Sequence, residues 1–112
     1  LKDAITQWSN VGSLIHGLHI NNYDLISRSL KDVVVEPFRS QLIPGFENIK
    51  KTALAYGALG TGISGSGPSV FSLSKTSALN VEKAIRETYK KEDIPFEIYV
   101  SKINLNGIKH LK

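Results

Sequence analysis

The stretch GTGISGSGPSVF, residues 60–71, gathers four glycines and three serines directly ahead of an apolar run. ALGTGI (58–63) leads into it with alternating character, and SVFSL (69–73) leads out, short and rich in β-branched or aromatic residues. Both flanks read as strands, and the loop GSGP between them makes an antiparallel pair. Two readings of the turn remain open on residues alone. A hairpin needs positive φ at one or two positions, which glycine supplies without steric cost. The turn holds more glycine and serine than that, and successive N–H groups free of β-carbons can converge into a nest for an anion. Ser64, Ser66 and Ser69 would add hydroxyl donors.

Three stricter motifs fail here. Gly60, Gly62 and Gly65 satisfy G-x-G-x-x-G, but a dinucleotide site needs that run to follow a strand and open a helix. Here Pro68 and a second strand follow. A P-loop needs a closing Lys-Ser/Thr pair, which is missing. The nucleophile elbow G-x-S-x-G meets Ser66 where its last glycine belongs.

Upstream, Ile5, Trp8, Val11, Ile15 and Leu18 recur at steps of three and four, so an amphipathic helix starting at Asp3 is expected, with Trp8 in the core. Asn21-Asn22 closes it and caps a second helix over 23–34, with Leu25, Ile26, Ser29, Leu30 and Val33 inward. So short a link predicts an antiparallel hairpin. Pro37 breaks the pattern, and EPFRSQLIPGF (36–46) reads as irregular. A third helix fits 45–56, with Phe46, Ile49, Ala53 and Leu54 inward and Gly57 as a left-handed stop. Beyond the glycine turn, Thr76 or Ser77 caps a fourth helix. Its inner face carries Val81, Ala84, Ile85, Thr88 and Tyr89, and Lys90 and Lys91 complement its dipole. FEIYVSKIN (96–104) reads as a final strand. The order ααα-β-β-α-β predicts an α+β, two-layer sandwich, ferredoxin-like, with an antiparallel sheet of three strands and room for a fourth upstream of Leu1.

Bulk properties narrow the function classes. A chain of 112 residues suits one domain. With no cysteine, it has neither disulfides nor thiolate metal sites, in keeping with a cytoplasmic, reducing setting. The net charge of +4 is mild and scattered, not the basic stripe of a nucleic-acid binder. No run approaches the length of a membrane span. His16 and His19 have chelating spacing but no third ligand, so no metal is expected. A chain that begins with Leu is read as a piece of a longer one.

At this point the motifs carry a resemblance. GISGSGPSVFSL (62–73) resembles the third, C-terminal glycine-rich motif of the GHMP small-molecule kinases. LKDVVVEPFRSQLIPGF (30–46) is similar to the segment that the homoserine kinase branch carries before that motif, and FEIYVSKINLNGIKHL (96–111) to its final strand and terminus. Ser66 and Ser69 stand where many members have Ala and Thr; neither change removes a backbone donor. The resemblance implies that residues 1–112 form a GHMP kinase C-terminal domain. It implies transfer of the ATP γ-phosphate to the hydroxyl of L-homoserine, on the route to threonine. ATP and Mg would be held mainly by a glycine-serine loop in an N-terminal domain outside this chain, and members often pair as homodimers. Carried onto this sequence, it implies that Arg39 binds the substrate carboxylate and that Gly62, Ser64, Gly65, Ser66 and Gly67 form the phosphate and substrate loop. It assigns no general base.

The residues alone permit plainer roles. Arg39 could be a surface cation tied to Glu36 or Asp32, and Asp32, which could be a ligand-site carboxylate, reads better as a helix-terminal cap or the partner of a nearby cation. Other functions that fit the pattern are a mevalonate-type kinase, a free-standing amino-acid-sensing module, and an RNA-binding module. The last wants stacked aromatics on a central strand, where VFSLS offers only Phe71.

Overall fold

The computed structural model describes residues 1–111. Five helices and two strands follow in order: α1 (Lys2–His19), α2 (Tyr23–Ser29), α3 (Glu36–Arg39), a 3-10 turn (Ser40–Leu42), α4 (Phe46–Ala55), β1 (Ala58–Ile63), β2 (Val70–Ser74) and α5 (Leu79–Lys91). The fold is α+β. Strands β1 and β2 pair antiparallel, with Gly62 opposite Phe71 and Ile63 opposite Val70, and a bulge between Ala58 and Gly60. Helix α4 packs on α5 and on β1. The core lies between them: Phe46, Ile49, Ala53, Val81 and Ala84 are buried, joined by Ile26 from α2 and Ile43 from the loop before α4.

Several local signals act as expected. Asn22 caps α2, its side chain accepting from the Leu25 amide. Gly57 has φ +103°, the left-handed stop after α4. At α5 the expectation shifts by a residue: the cap position is Ala78, which has no side chain to cap with, and Ser77 Oγ just before it accepts from the Leu79 amide.

Helix α1 departs from expectation. It starts at Lys2, with Asp3 inside the first turn and not at the cap. More important, Trp8 is 67% exposed and Ile15 64%, and Ile5, Val11 and Leu18 are exposed as well. The helix docks by its polar side. Gln7 Oε1 accepts from the Val33 amide, Asn10 Nδ2 donates to the Lys31 carbonyl, and Gly17 lies against Ile26. The apolar stripe is real, but nothing among the described residues covers it.

Helix α2 ends at Ser29, five residues short of the expected Val34. Leu25, Leu30 and Val33 are accordingly only half-buried. The cause is Asp32. Its carboxylate collects the amides of Val34, Val35 and Glu36, a turn that competes with helix continuation. The segment 36–46 is more regular than predicted. Pro37 sits in the first turn of α3, where its missing N–H costs nothing. Leu54 is exposed, not inward, because it lies off the face that α5 and β1 cover.

The expected third strand, 96–104, does not form. Ile94, Phe96 and Ile98 are half-buried and alternate with exposed neighbours, so the period of two survives. Phe96 stacks on Tyr89 with centroids 5.1 Å apart. Yet among the described residues no backbone hydrogen bond links 95–103 to another strand. A strand is defined by its neighbour, and here the neighbour is missing. No helix among the described residues is long and apolar enough to cross a membrane.

Candidate functional site at the glycine turn

The turn between β1 and β2 is built from its own main chain. Ser64 N–H donates to the Ser69 carbonyl at 2.8 Å, and Gly67 N–H donates to the Ser64 carbonyl at 3.1 Å. Gly65 and Gly67 have φ of +61° and +77°, where a β-carbon is strained. At Gly67 a Cβ would also meet Ile43 Cδ1 at 2.8 Å, so the end of that side chain would have to shift. Ile43 belongs to the LIPG run, so that run shapes the turn from outside. The Gly67–Pro68 peptide is cis.

This geometry divides the loop residues. Gly62 lies inside β1, buried and paired with Phe71, whose ring would stand 3.1 Å from any Cβ placed there. It packs; it does not line an opening. Ser64 and Gly67 spend their amides on the turn. The Gly65 and Ser66 amides have no acceptor among the described residues, and the side-chain hydroxyls of Ser64, Ser66 and Ser69 make no hydrogen bond there either. Residues 64–66 are exposed. The donor surface is thus the adjacent Gly65 and Ser66 amides, the Ser69 amide and three hydroxyls, all on exposed residues.

Arg39 reaches this loop from α3. Its Nε and Nη2 both donate to the Ser66 carbonyl, at 3.2 and 2.7 Å. Neither acidic neighbour holds it. Asp32 turns its carboxylate onto the three amides of residues 34–36, close to the cap reading, although the cap position of α3 itself is Val35; it pairs with no cation among the described residues. Glu36 pairs with Lys50 of α4. Among the described residues Arg39 has no carboxylate partner, and its exposed guanidinium leaves a positive charge beside the Gly65 and Ser66 amides. A carboxylate or phosphate oxygen is the complement of such a surface.

Sequence reasoning missed Glu36 and Lys50 as parts of this arrangement. Glu36 lies in the quoted EPFR run, but Lys50 is 14 residues away and carries no motif. Other features stand apart. A cleft of about 410 Å³ runs between α4 and α5, lined by Asn48, Lys51, Thr52, Thr88, Lys91 and Glu92. It includes neither Arg39 nor the turn. Burial pushes the Tyr89 hydroxyl above its usual pKa, with Glu92 adding to the rise. His16 and His19 are exposed on α1, and no group of three or more His, Cys, Asp or Glu gathers among the described residues.

Comparison with known proteins places the chain in a family. The family described as GHMP kinases C terminal matches residues 7–91. The homoserine kinase of Chlorobium phaeobacteroides is 50% identical over 115 residues, covering 99% of this chain and 36% of that protein. That of Chloroherpeton thalassium is 44% identical over 114 residues, again covering 99% and 36%. The crystal structure of homoserine kinase from Cytophaga hutchinsonii superposes with a TM-score of 0.85 at 47% identity, over 93% of this chain and 34% of the other. The chain spans about a third of the length of the curated relatives it matches.

Proposed function

The chain belongs to the GHMP kinases, as their C-terminal domain, and from that premise we propose that it is the acceptor-site part of a homoserine kinase. The enzyme would move the γ-phosphate of ATP to the side-chain hydroxyl of L-homoserine. One observation carries the reading: Arg39, without an acidic partner, is fastened to the glycine turn beside two free amides. An amino acid brings a carboxylate, and a guanidinium grips a carboxylate with two parallel hydrogen bonds. Nε and Nη2 face Ser66, so the Nη1 side is the one left for the acceptor.

Phosphoryl transfer asks the protein mainly for position and for charge stabilisation. In this reading Arg39 orients the amino acid. The Gly65 and Ser66 amides meet negative charge on the transferring group, a preorganised donor pair that costs no reorganisation. The residues of this loop do not fit a magnesium ion. Both oxygens of Asp32 are on backbone amides, and Glu36 gives one oxygen to Lys50 and keeps the other buried, out of reach of the exposed turn. Hard cations want free carboxylate oxygens, and this loop offers none. ATP and Mg belong, on this proposal, to a nucleotide-binding part outside these residues, in a cytoplasmic enzyme that pairs as a homodimer.

The test has two arms. The full-length protein is assayed with MgATP against homoserine, mevalonate, serine and threonine; homoserine is expected to be the preferred acceptor. The 112-residue chain alone is expected to give no turnover. Preference for mevalonate would move the protein to another branch of the family. Turnover by the short chain would overturn the division of labour.

A further inference from the structure

Glu36 is a buried carboxylate in an odd place. It is 8% exposed, and one oxygen meets Lys50. The other, Oε2, is buried without a partner, and a Cβ on Gly62 would stand 3.7 Å from it. A buried charge is costly unless paired and hydrogen-bonded. A well-packed apolar side chain of similar volume often serves stability as well or better than a buried ion pair. The carboxylate therefore needs a reason other than stability, and its setting supplies one.

Helix α3 has only four residues, too few to hold itself together in water. Its place is set by tethers. Asp32 holds its first amide and the two before it, Lys50 holds Glu36 at its first residue, and Ser66 receives Arg39 from its last. Glu36 and Arg39 are three apart, so they share one face of the turn. Rotating Glu36 about that axis swings Arg39 with it. The pair to Lys50 is directional where an apolar contact is not, and glycine at position 62 leaves the space that Glu36 and the Phe71 ring border.

We propose that Glu36, gripped by Lys50, is a positioning residue that fixes the helical turn carrying Arg39 and so sets where the guanidinium meets the glycine loop. The role deepens the reading of Arg39 as the acceptor's anchor and rests on it. Glu36 does not touch the acceptor; it acts through Arg39.

Two readouts test it. In this chain, the Arg39 Nε–H resonance, held by the Ser66 carbonyl, is expected to shift and broaden in Glu36→Gln, together with the Gly65 and Ser66 amides. In the full-length protein, Glu36→Gln is expected to raise KM for homoserine roughly tenfold with KM for ATP within about twofold, since misplacing an anchor costs binding of the anchored group. Lys50→Arg keeps the pair and is expected to stay near the parent. Should Glu36→Gln fail to fold, Lys50→Gln, altered at a partly exposed side chain, carries the same two readouts. An unmoved Arg39 resonance with an unmoved homoserine KM, in a folded variant, overturns the proposal even if the melting temperature falls. Arg39→Ala separates the two readings: if it leaves the homoserine KM unchanged, the anchor role fails, while the resonance still judges the tether.

Discussion

Arg39 and Ser66 are joined by two hydrogen bonds from one guanidinium to one carbonyl, across 27 residues of sequence. The bond pair ties the EPFR turn to the glycine turn, the two stretches whose residues point most strongly to function.

Replacing Arg39 by Lys tests whether charge alone suffices. Lysine keeps the charge but loses the planar fork. In the full-length protein, Arg39→Lys is expected to raise KM for homoserine about tenfold or more, leaving KM for ATP near the parent value. Steady-state kinetics with each substrate varied decides it; an unchanged homoserine KM would leave Arg39 as a structural strut.

The two left-handed glycines of the turn should differ. Gly65→Ala meets open space, so only the backbone term applies, roughly 1 kcal/mol. Gly67→Ala adds a collision with Ile43 and is expected to cost about 2–4 kcal/mol in total. Urea unfolding of both variants measures the gap, and equal costs would mean that Ile43 yields freely.

Trp8 and Phe46 offer the plainest contrast in burial. Phe46 is 1% exposed, and Phe46→Ala is expected to cost about 3–5 kcal/mol. Trp8→Ala, at an exposed site in this chain, is expected to stay within about 0.5 kcal/mol. Trp8 is the only tryptophan, so its emission reports directly: a water-like maximum in the 112-residue chain is expected. A blue-shifted maximum in dilute monomer would contradict the exposed α1 face.

Tyr89 makes stability depend on alkaline pH. Burial first, then Glu92, raises its pKa above 10.0, so the folded state prefers the neutral phenol. The unfolded chain therefore ionises first. Folding stability attributable to Tyr89 is intact below pH 10 and is lost as pH climbs through the folded-state pKa. Tyr89→Phe, followed by urea unfolding from pH 8 upward, should flatten that decline; an unchanged slope would assign it to other groups.

What the sequence determined by itself was local. The glycine turn with its two strands, the Asn22 cap, the Gly57 stop and the Asp32 cap all follow from side chains acting on backbone a few residues away. The motif segments likewise marked Arg39 and the turn as belonging together. Three things waited for the tertiary structure. Periodicity announces that α1 has an apolar face, yet whether Trp8 is inside depends on what lies opposite, and this chain docks the polar face instead. Alternation gives residues 96–104 the look of a strand, but pairing needs a neighbour's amides and carbonyls. And of the turn's donors, the amides of Gly65, Ser66 and Ser69 keep no acceptor among the described residues, because the turn consumes those of Ser64 and Gly67 to close itself. In each case a residue's own chemistry set what it could do, and long-range partners decided which option was taken.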